Sequence, residues 1–151
     1  MHTNLSVTVA PANQISFPVI IVGLDNQTIF KGKLTETKTF TIDQDLCVGQ
    51  HKFWIKHLLS NNDQISFCQR GSRITEIRAG NISTDRMRWA GEFTPVWSEP
   101  WASEQRSQGI ELQEKLNSCD HLCVNGEWVL NFTAPVYTWI HNLENLGWIY
   151  D

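Results

Sequence analysis

Hydrophobic and polar residues alternate with a period of two along much of the first half of the chain. This spacing puts every second side chain on the same face of an extended backbone, so it predicts β-strands with one buried face. The strands predicted in this way cover residues 5–10, 37–43, 51–58 and 74–82. Two apolar runs, 19–22 and 28–30, flank the turn-forming residues Asp25 and Asn26, which predicts a hairpin.

One of these strands allows its two faces to be assigned. Phe53 and Ile55 share the face that is expected in the core. Lys52, Trp54 and Lys56 share the opposite face, because they occupy the alternate positions. We therefore expect the indole of Trp54 to point outward.

The middle of the chain has a less regular pattern. Residues 86–101 are rich in large apolar side chains, but Gly91, Pro95 and Pro100 interrupt them, which predicts a short strand followed by a long irregular loop. Residues 103–117 allow two interpretations: their Glu, Gln and Lys favour a helix, whereas apolar residues at even spacing favour a strand. The evenly spaced residues are Ile110, Leu112 and Leu116, and we favour the strand.

The dipeptide Asn125-Gly126 is the strongest short-range hairpin signal in the chain. It connects the apolar segment 122–124 to a second predicted strand. The apolar face of that second strand consists of Trp128, Leu130 and Phe132. The pattern predicts that the two segments pair with each other.

A helix is predicted after this strand. Thr133 is expected to cap it, with Pro135 near its first turn and Gly147 at its end. Its apolar face would consist of Val136, Ile140 and Leu143.

Together these elements predict a single domain, residues 1–151, of the mainly β class. The expected architecture is an antiparallel two-sheet β-sandwich, jelly-roll-like, with one short C-terminal helix. Composition agrees with this fold, since 41% of the 151 residues are hydrophobic and the aromatic residues include seven Trp and seven Phe. Large rings suit pleated sheets, and a chain of this length can bury a core without staples.

The net charge, the longest apolar run and the N-terminal residues indicate which partners and cellular locations to expect. The net charge of -4 argues against a nucleic-acid partner, because phosphate binding needs clustered Lys and Arg. The longest apolar run, 18–22, is too short to span a membrane, and the N-terminus has neither the basic nor the apolar region of a signal peptide. We expect a protein made in a cytoplasm, with its four cysteines reduced.

No cofactor is predicted, and calcium is the alternative left open. Calcium takes six to eight oxygen ligands, and the candidate carboxylates are Asp25 and Asp63, with Asp43 and Asp45 in further turns. Ordinary turn chemistry is the favoured explanation for all four.

The segment 119–123 contains the zinc-type ligands Cys119, His121 and Cys123. A structural zinc site needs four ligands, and alternating strand residues offer at most three on one face. We therefore interpret the cysteines as small, half-buried residues.

Four tryptophans are candidates for contact with a glycan or a second subunit: Trp54, Trp89, Trp97 and Trp101. A flat ring can stack on a sugar, but indoles are also enriched at protein interfaces, and we favour core or subunit contacts. Trp128 and Trp139 are assigned to the core. The C-terminal tail is too apolar to remain in water, so Trp148, Ile149 and Tyr150 are predicted to contact a neighbouring subunit.

Motifs of catalysis do not occur in the sequence: we find no nucleophile elbow, phosphate-binding loop or His-Glu metal motif. Glu92 and Glu99 could form a carboxylate pair, but any acidic domain offers such pairs. The prediction is a protein that is not an enzyme.

Two stretches resemble known families and together cover about half of the chain. The stretch from Pro18 to Asp63, with its Pro-Val-Ile-Ile-Val run, its Thr-Phe-Thr-Ile strand and its Asn-Asn-Asp end, resembles the first half of calcium-dependent carbohydrate-binding modules. Residues 125–139, beginning Asn-Gly-Glu-Trp-Val-Leu-Asn-Phe, resemble small sandwich modules found in the virions of tailed phages. The calcium-dependent modules place metal ligands in a late Asp-rich loop, where this chain has only Asp120.

These resemblances imply, in decreasing order of support, a sandwich architecture, membership of a virion and sugar binding. The predicted function is a non-enzymatic structural protein of a tailed-phage virion, as head decoration or as part of the neck, tail, baseplate or fibre. It would be located in the virion and contact other virion proteins and copies of itself. The alternative is a carbohydrate-binding module for adhesion to a host-surface glycan.

Overall fold

The structure is a computed structural model that describes residues 2–12, 17–58, 71–97, 101–122 and 124–144. In these ranges the chain forms nine strands and three short helices. In chain order the elements are β1 (His2–Pro11), β2 (Val19–Leu24), β3 (Gln27–Lys33), β4 (Lys38–Asp45), β5 (Gly49–Leu58), β6 (Ser72–Ala79), α1 (Asp85–Arg88), β7 (Glu92–Pro95), α2 (Trp101–Ser107), β8 (His121–Leu122), β9 (Gly126–Ala134) and α3 (Val136–Leu143).

The strands form two antiparallel sheets, which confirms the predicted mainly β fold with two sheets. The four-stranded sheet has the order β4-β1-β6-β8, and the five-stranded sheet has the order β3-β2-β5-β9-β7. The predicted hairpin is also confirmed, because β2 and β3 pair with each other across Asp25 and Asn26.

Side chains of both sheets meet in one hydrophobic core, as the period-two pattern predicts. Phe53 and Ile55 of β5 are fully buried, whereas the alternate residues Lys52, Trp54 and Lys56 lie on the outer face. The same alternation buries Trp128, Leu130 and Phe132 of β9. Trp128 and Trp139 both lie in the core, as expected.

The hairpin predicted at Asn125-Gly126 is wrong. β8 pairs with β6 in the four-stranded sheet, whereas β9 pairs with β5 and β7 in the five-stranded sheet. The dipeptide therefore carries the chain from one sheet to the other. Gly126 is needed for a close approach, because a Cβ atom there would lie 2.4 Å from the carbonyl oxygen of Thr94.

The interpretation of residues 86–117 also needs correction. Thr84 caps α1 by accepting a hydrogen bond from the Met87 amide (3.2 Å), so a helical turn precedes the short strand β7. The strand favoured over 103–117 is wrong, since residues 101–107 form α2 and Gly109, with φ of 80°, ends it. Only Leu116 then pairs in strand fashion, with Phe93.

The C-terminal helix is present, but its start differs from the prediction. Thr133 belongs to β9, and Pro135 occupies the N-cap position without a side-chain hydrogen bond. Trp139 and Ile140 are buried against the core, whereas Gly147, the predicted end, lies outside the described residues. The longest helix described has eight residues, and none of the described helices could cross a membrane.

Candidate functional site

The outer face of the five-stranded sheet carries the clearest candidate site. This outer face is formed by the residues of β5, β7 and β9 that alternate with core residues. In the sheet register Trp54 lies between Gly23 on one side and Val129 on the other. Lys56 lies directly opposite Glu127. The predicted outward position of Trp54 therefore agrees with the strand geometry.

The indole of Trp54 packs over Gly23 and is held from two sides. A Cβ atom on Gly23 would be 2.0 Å from its ring atom Cζ2, so only a glycine leaves room for the ring. Its Nε1 donates a hydrogen bond to the carbonyl oxygen of Asp25 at 2.9 Å. The ammonium of Lys56 lies 5.4 Å from the ring centroid, within the range of a cation–π contact.

A network around Asp25 fixes the turn that holds this indole. The carboxylate of Asp25 accepts hydrogen bonds from the Lys52 amide (2.9 Å) and from Nδ1 of His51 (2.7 Å). Nε2 of His51 lies 2.6 Å from the carbonyl oxygen of Cys47, so both ring nitrogens face acceptors. The bond to Asp25 and then that to Cys47 raise the pKa of His51 above its ordinary value.

A groove of about 720 Å³ runs along β9, and its lining includes Val129, the sheet neighbour of Trp54, but not Trp54 itself. Its floor extends from Asn125, just before β9, to Asn131, a length of about 20 Å at about 3.3 Å per residue. Lys52, Lys56 and Leu58 of β5 form one wall. The opposite wall consists of Glu92, Thr94, Val96 and Lys115.

Two ion pairs order the charges of this groove. Lys52 Nζ lies 3.1 Å from Glu127 Oε1, and Lys115 Nζ lies 2.7 Å from Glu92 Oε2. Lys56 has no acidic group within ion-pairing distance among the residues that the structure describes. Glu127, the sheet neighbour of Lys56, is already paired with Lys52, so the three lysines and two glutamates of the lining leave a net charge of +1.

The other three candidate tryptophans lie elsewhere. Trp89 is 43% exposed, with the guanidinium of Arg88 over its ring, and it lines a smaller cavity next to the groove. Trp97 and Trp101 form a ring pair at 5.9 Å, and Trp97 Nε1 donates to the carbonyl oxygen of Gln113. Trp97 also packs against the core. The four indoles therefore do not form one continuous surface.

The candidate metal ligands are not brought together in the described ranges. Asp43 and Asp45 lie beside His2 on the four-stranded sheet, whereas the carboxylate of Asp25 is bound to His51 and to the Lys52 amide. Cys119 is half-buried, with its Sγ 3.3 Å from the carbonyl oxygen of His121. No cluster of three or more metal-ligating side chains occurs in the part of the chain that the structure describes, and Asp63 and Cys123 lie outside it.

One titratable side chain that the sequence did not single out is a buried histidine. His57 is fully buried, and its Nδ1 donates to the carbonyl oxygen of Val124 at 2.9 Å. Burial lowers its pKa from 6.5 to about 4, so the ring is neutral at pH 7. Its Nε2 has no partner within the described residues.

Glu99, which the sequence offered as a possible carboxylate partner of Glu92, lies outside the described residues, as do Trp148, Ile149 and Tyr150. The groove was not predicted from the sequence, although the alternation on β5 already placed Lys52 and Lys56 on the same face as Trp54. The sequence did not reveal that β9 lies between β5 and β7 in the sheet.

Comparisons with protein-family models, curated proteins and solved structures gave no match to this chain.

Proposed function

We propose that this chain is a non-catalytic, glycan-binding structural protein of a tailed-phage virion, and that the groove beside Trp54 holds the sugar. The observation that carries the proposal is the fixed indole of Trp54, whose sheet neighbour Val129 lines a long groove that also carries charged and amide side chains. This is the kind of surface that an extended oligosaccharide needs. The alternative suggested by the sequence thus becomes the leading proposal.

A sugar ring has an apolar C–H face and a rim of hydroxyl groups. Trp54 offers a flat apolar surface for the first, and the amide of Asn131 offers both donors and an acceptor for the second. Because the indole is already held by Gly23 and Asp25, little side-chain freedom remains to be lost on binding.

The non-catalytic part of the proposal is supported by the state of the groove carboxylates. Glu127 and Glu92 are both in ion pairs with lysines, which suits the orientation of a ligand better than proton transfer. The virion part is supported by the resemblance of residues 125–139 to sandwich modules of tailed-phage virions.

Titration of the protein with a panel of neutral, N-acetylated and acidic oligosaccharides, followed by calorimetry, tests glycan binding. We expect Trp54→Ala to weaken binding at least about tenfold, which corresponds to about 1.4 kcal/mol of lost stacking. Trp89→Ala is the matched control, since that indole is exposed outside the groove. Equal losses in both variants, or no binding by the unmodified protein to any member of the panel, would show that the proposal is wrong.

A second candidate function is assembly through protein contacts, which one feature of the groove favours. Val96 is 63% exposed and Leu58 is 48% exposed, and both lie at the same end of the groove. If this end joins copies of the chain, Leu58→Ser with Val96→Ser lowers the mass measured by light scattering. Ile29→Ser, which changes an exposed apolar residue of β3, should leave that mass unchanged.

A further inference from the structure

We infer that the groove prefers sugars that carry a negative charge, and that Lys56 is the residue that recognises this charge. This inference rests on the proposed glycan binding and adds the chemical class of the ligand. It is carried by the charges of the groove and by the position of the Lys56 ammonium over Trp54.

The balance of charges in the groove leaves one positive charge free for a ligand. Three lysines and two glutamates line it, and two of the lysines are paired with the two glutamates. Lys56 remains, on a chain whose net charge is -4. A local excess of positive charge in a concave site on an acidic protein attracts anions over neutral ligands.

The position of Lys56 links this charge to the stacking surface. Its Nζ lies 5.4 Å from the centroid of the Trp54 ring, so a sugar stacked on the indole would meet the ammonium. A neutral sugar would displace water from the ammonium without offering it a counter-charge. A carboxylate on the same sugar would form an ion pair, which is a stronger interaction than the cation–π contact that it replaces.

A matched pair of probes separates charge from shape: a tetramer of galacturonic acid and its methyl ester, which has the same rings without the charges. At low ionic strength we expect the acid to bind at least about tenfold more tightly than the ester, the gain of one charge-assisted hydrogen bond. Lys56→Gln should remove this difference, because it weakens binding of the acid more than binding of the ester. Raising the salt concentration should weaken binding of the acid only.

Lys33→Gln is the matched control, because it removes an exposed lysine of β3 outside the groove. Thermal unfolding of both variants checks that the fold is intact. If acid and ester bind equally and Lys56→Gln changes neither, the charge preference is wrong, although a loss in Trp54→Ala would still support glycan binding. If neither probe and no member of the wider panel binds, both proposals are wrong.

Discussion

Two glycines make room for two indoles, one on the surface and one in the core. A Cβ atom on Gly23 would lie 2.0 Å from the Trp54 ring, and one on Gly91 would lie 2.1 Å from Nε1 of Trp128. Trp54 is half-buried, and a Cβ atom on Gly23 would also lie 2.7 Å from the carbonyl oxygen of Gln27. Trp128 is fully buried, and its Nε1 donates to the carbonyl oxygen of Cys119 at 3.0 Å.

This difference predicts unequal costs for the same substitution. We expect Gly91→Ala to lower the free energy of unfolding by about 3 kcal/mol and Gly23→Ala by about 2 kcal/mol, because overpacking is worse where the ring is fully enclosed. Urea unfolding of both variants measures these values. Gly23→Ala should also weaken glycan binding, and equal costs for the two substitutions would contradict this account.

At the scale of elements, a single side chain joins two of the helices. Thr84 caps α1, and its Oγ1 also donates a short hydrogen bond to Glu144, next to the end of α3. Met87 of α1 is fully buried, so the cap holds a core residue in place. One hydroxyl group thus connects the short helix, the C-terminal helix and the core.

We therefore expect Thr84→Ala to lower the free energy of unfolding by about 1 kcal/mol, the usual value of an N-cap. Thr84→Ser keeps the hydroxyl group and should cost much less. The measurement is chemical unfolding followed by circular dichroism. A serine variant as unstable as the alanine variant would mean that the methyl group of Thr84 matters and the cap does not.

Elements with a strict period-two pattern could be predicted from the sequence, and elements defined by distant neighbours could not. The strand around Phe53 and the hairpin at Asp25 follow from local alternation and turn chemistry. Gly126 resembles a hairpin residue, but it is required by the approach of Thr94, which the local sequence does not reveal. Gly109 ends α2, and Ile110 lies in the segment that follows. The even apolar spacing that begins at Ile110 favoured a strand, although the residues before Gly109 form a helix.

The candidate site also has one part that the sequence could predict and one part that it could not. The outward position of Trp54 follows from its own strand, so sequence reasoning found it. The groove depends on β9 lying between β5 and β7, which brings Val129 beside Trp54 and Glu92 beside Val129. Such pairings join residues far apart in the chain, and hydrophobic patterns leave the choice of partner open.

At the scale of the whole molecule, two histidines of β5 couple folding to pH in opposite directions. The pKa of His51 is raised, so its contribution to stability is complete below pH 6.5 and is lost as the pH rises through its folded-state pKa. The pKa of His57 is lowered to about 4, so stability is lost as the pH falls from 6.5 towards 4, where the unfolded chain binds a proton that the folded protein does not. The joint contribution of these two histidines to stability is therefore largest near pH 6.5.

The contribution of each histidine can be tested by the slope of the free energy of unfolding against pH. A loss of stability that is the same at every pH shifts the whole curve and leaves this slope unchanged. Since one pKa unit is worth about 1.4 kcal/mol, His57 should account for about 2 kcal/mol of the stability lost between pH 7.5 and pH 5. His57→Asn should remove this loss, and His51→Gln should remove the decline above pH 6.5. The measurement is the free energy of unfolding in urea at intervals between pH 5 and pH 8. If the curve of His57→Asn runs parallel to that of the unmodified protein below pH 6.5, His57 takes up its proton in the folded state, and a dry environment for this side chain is ruled out.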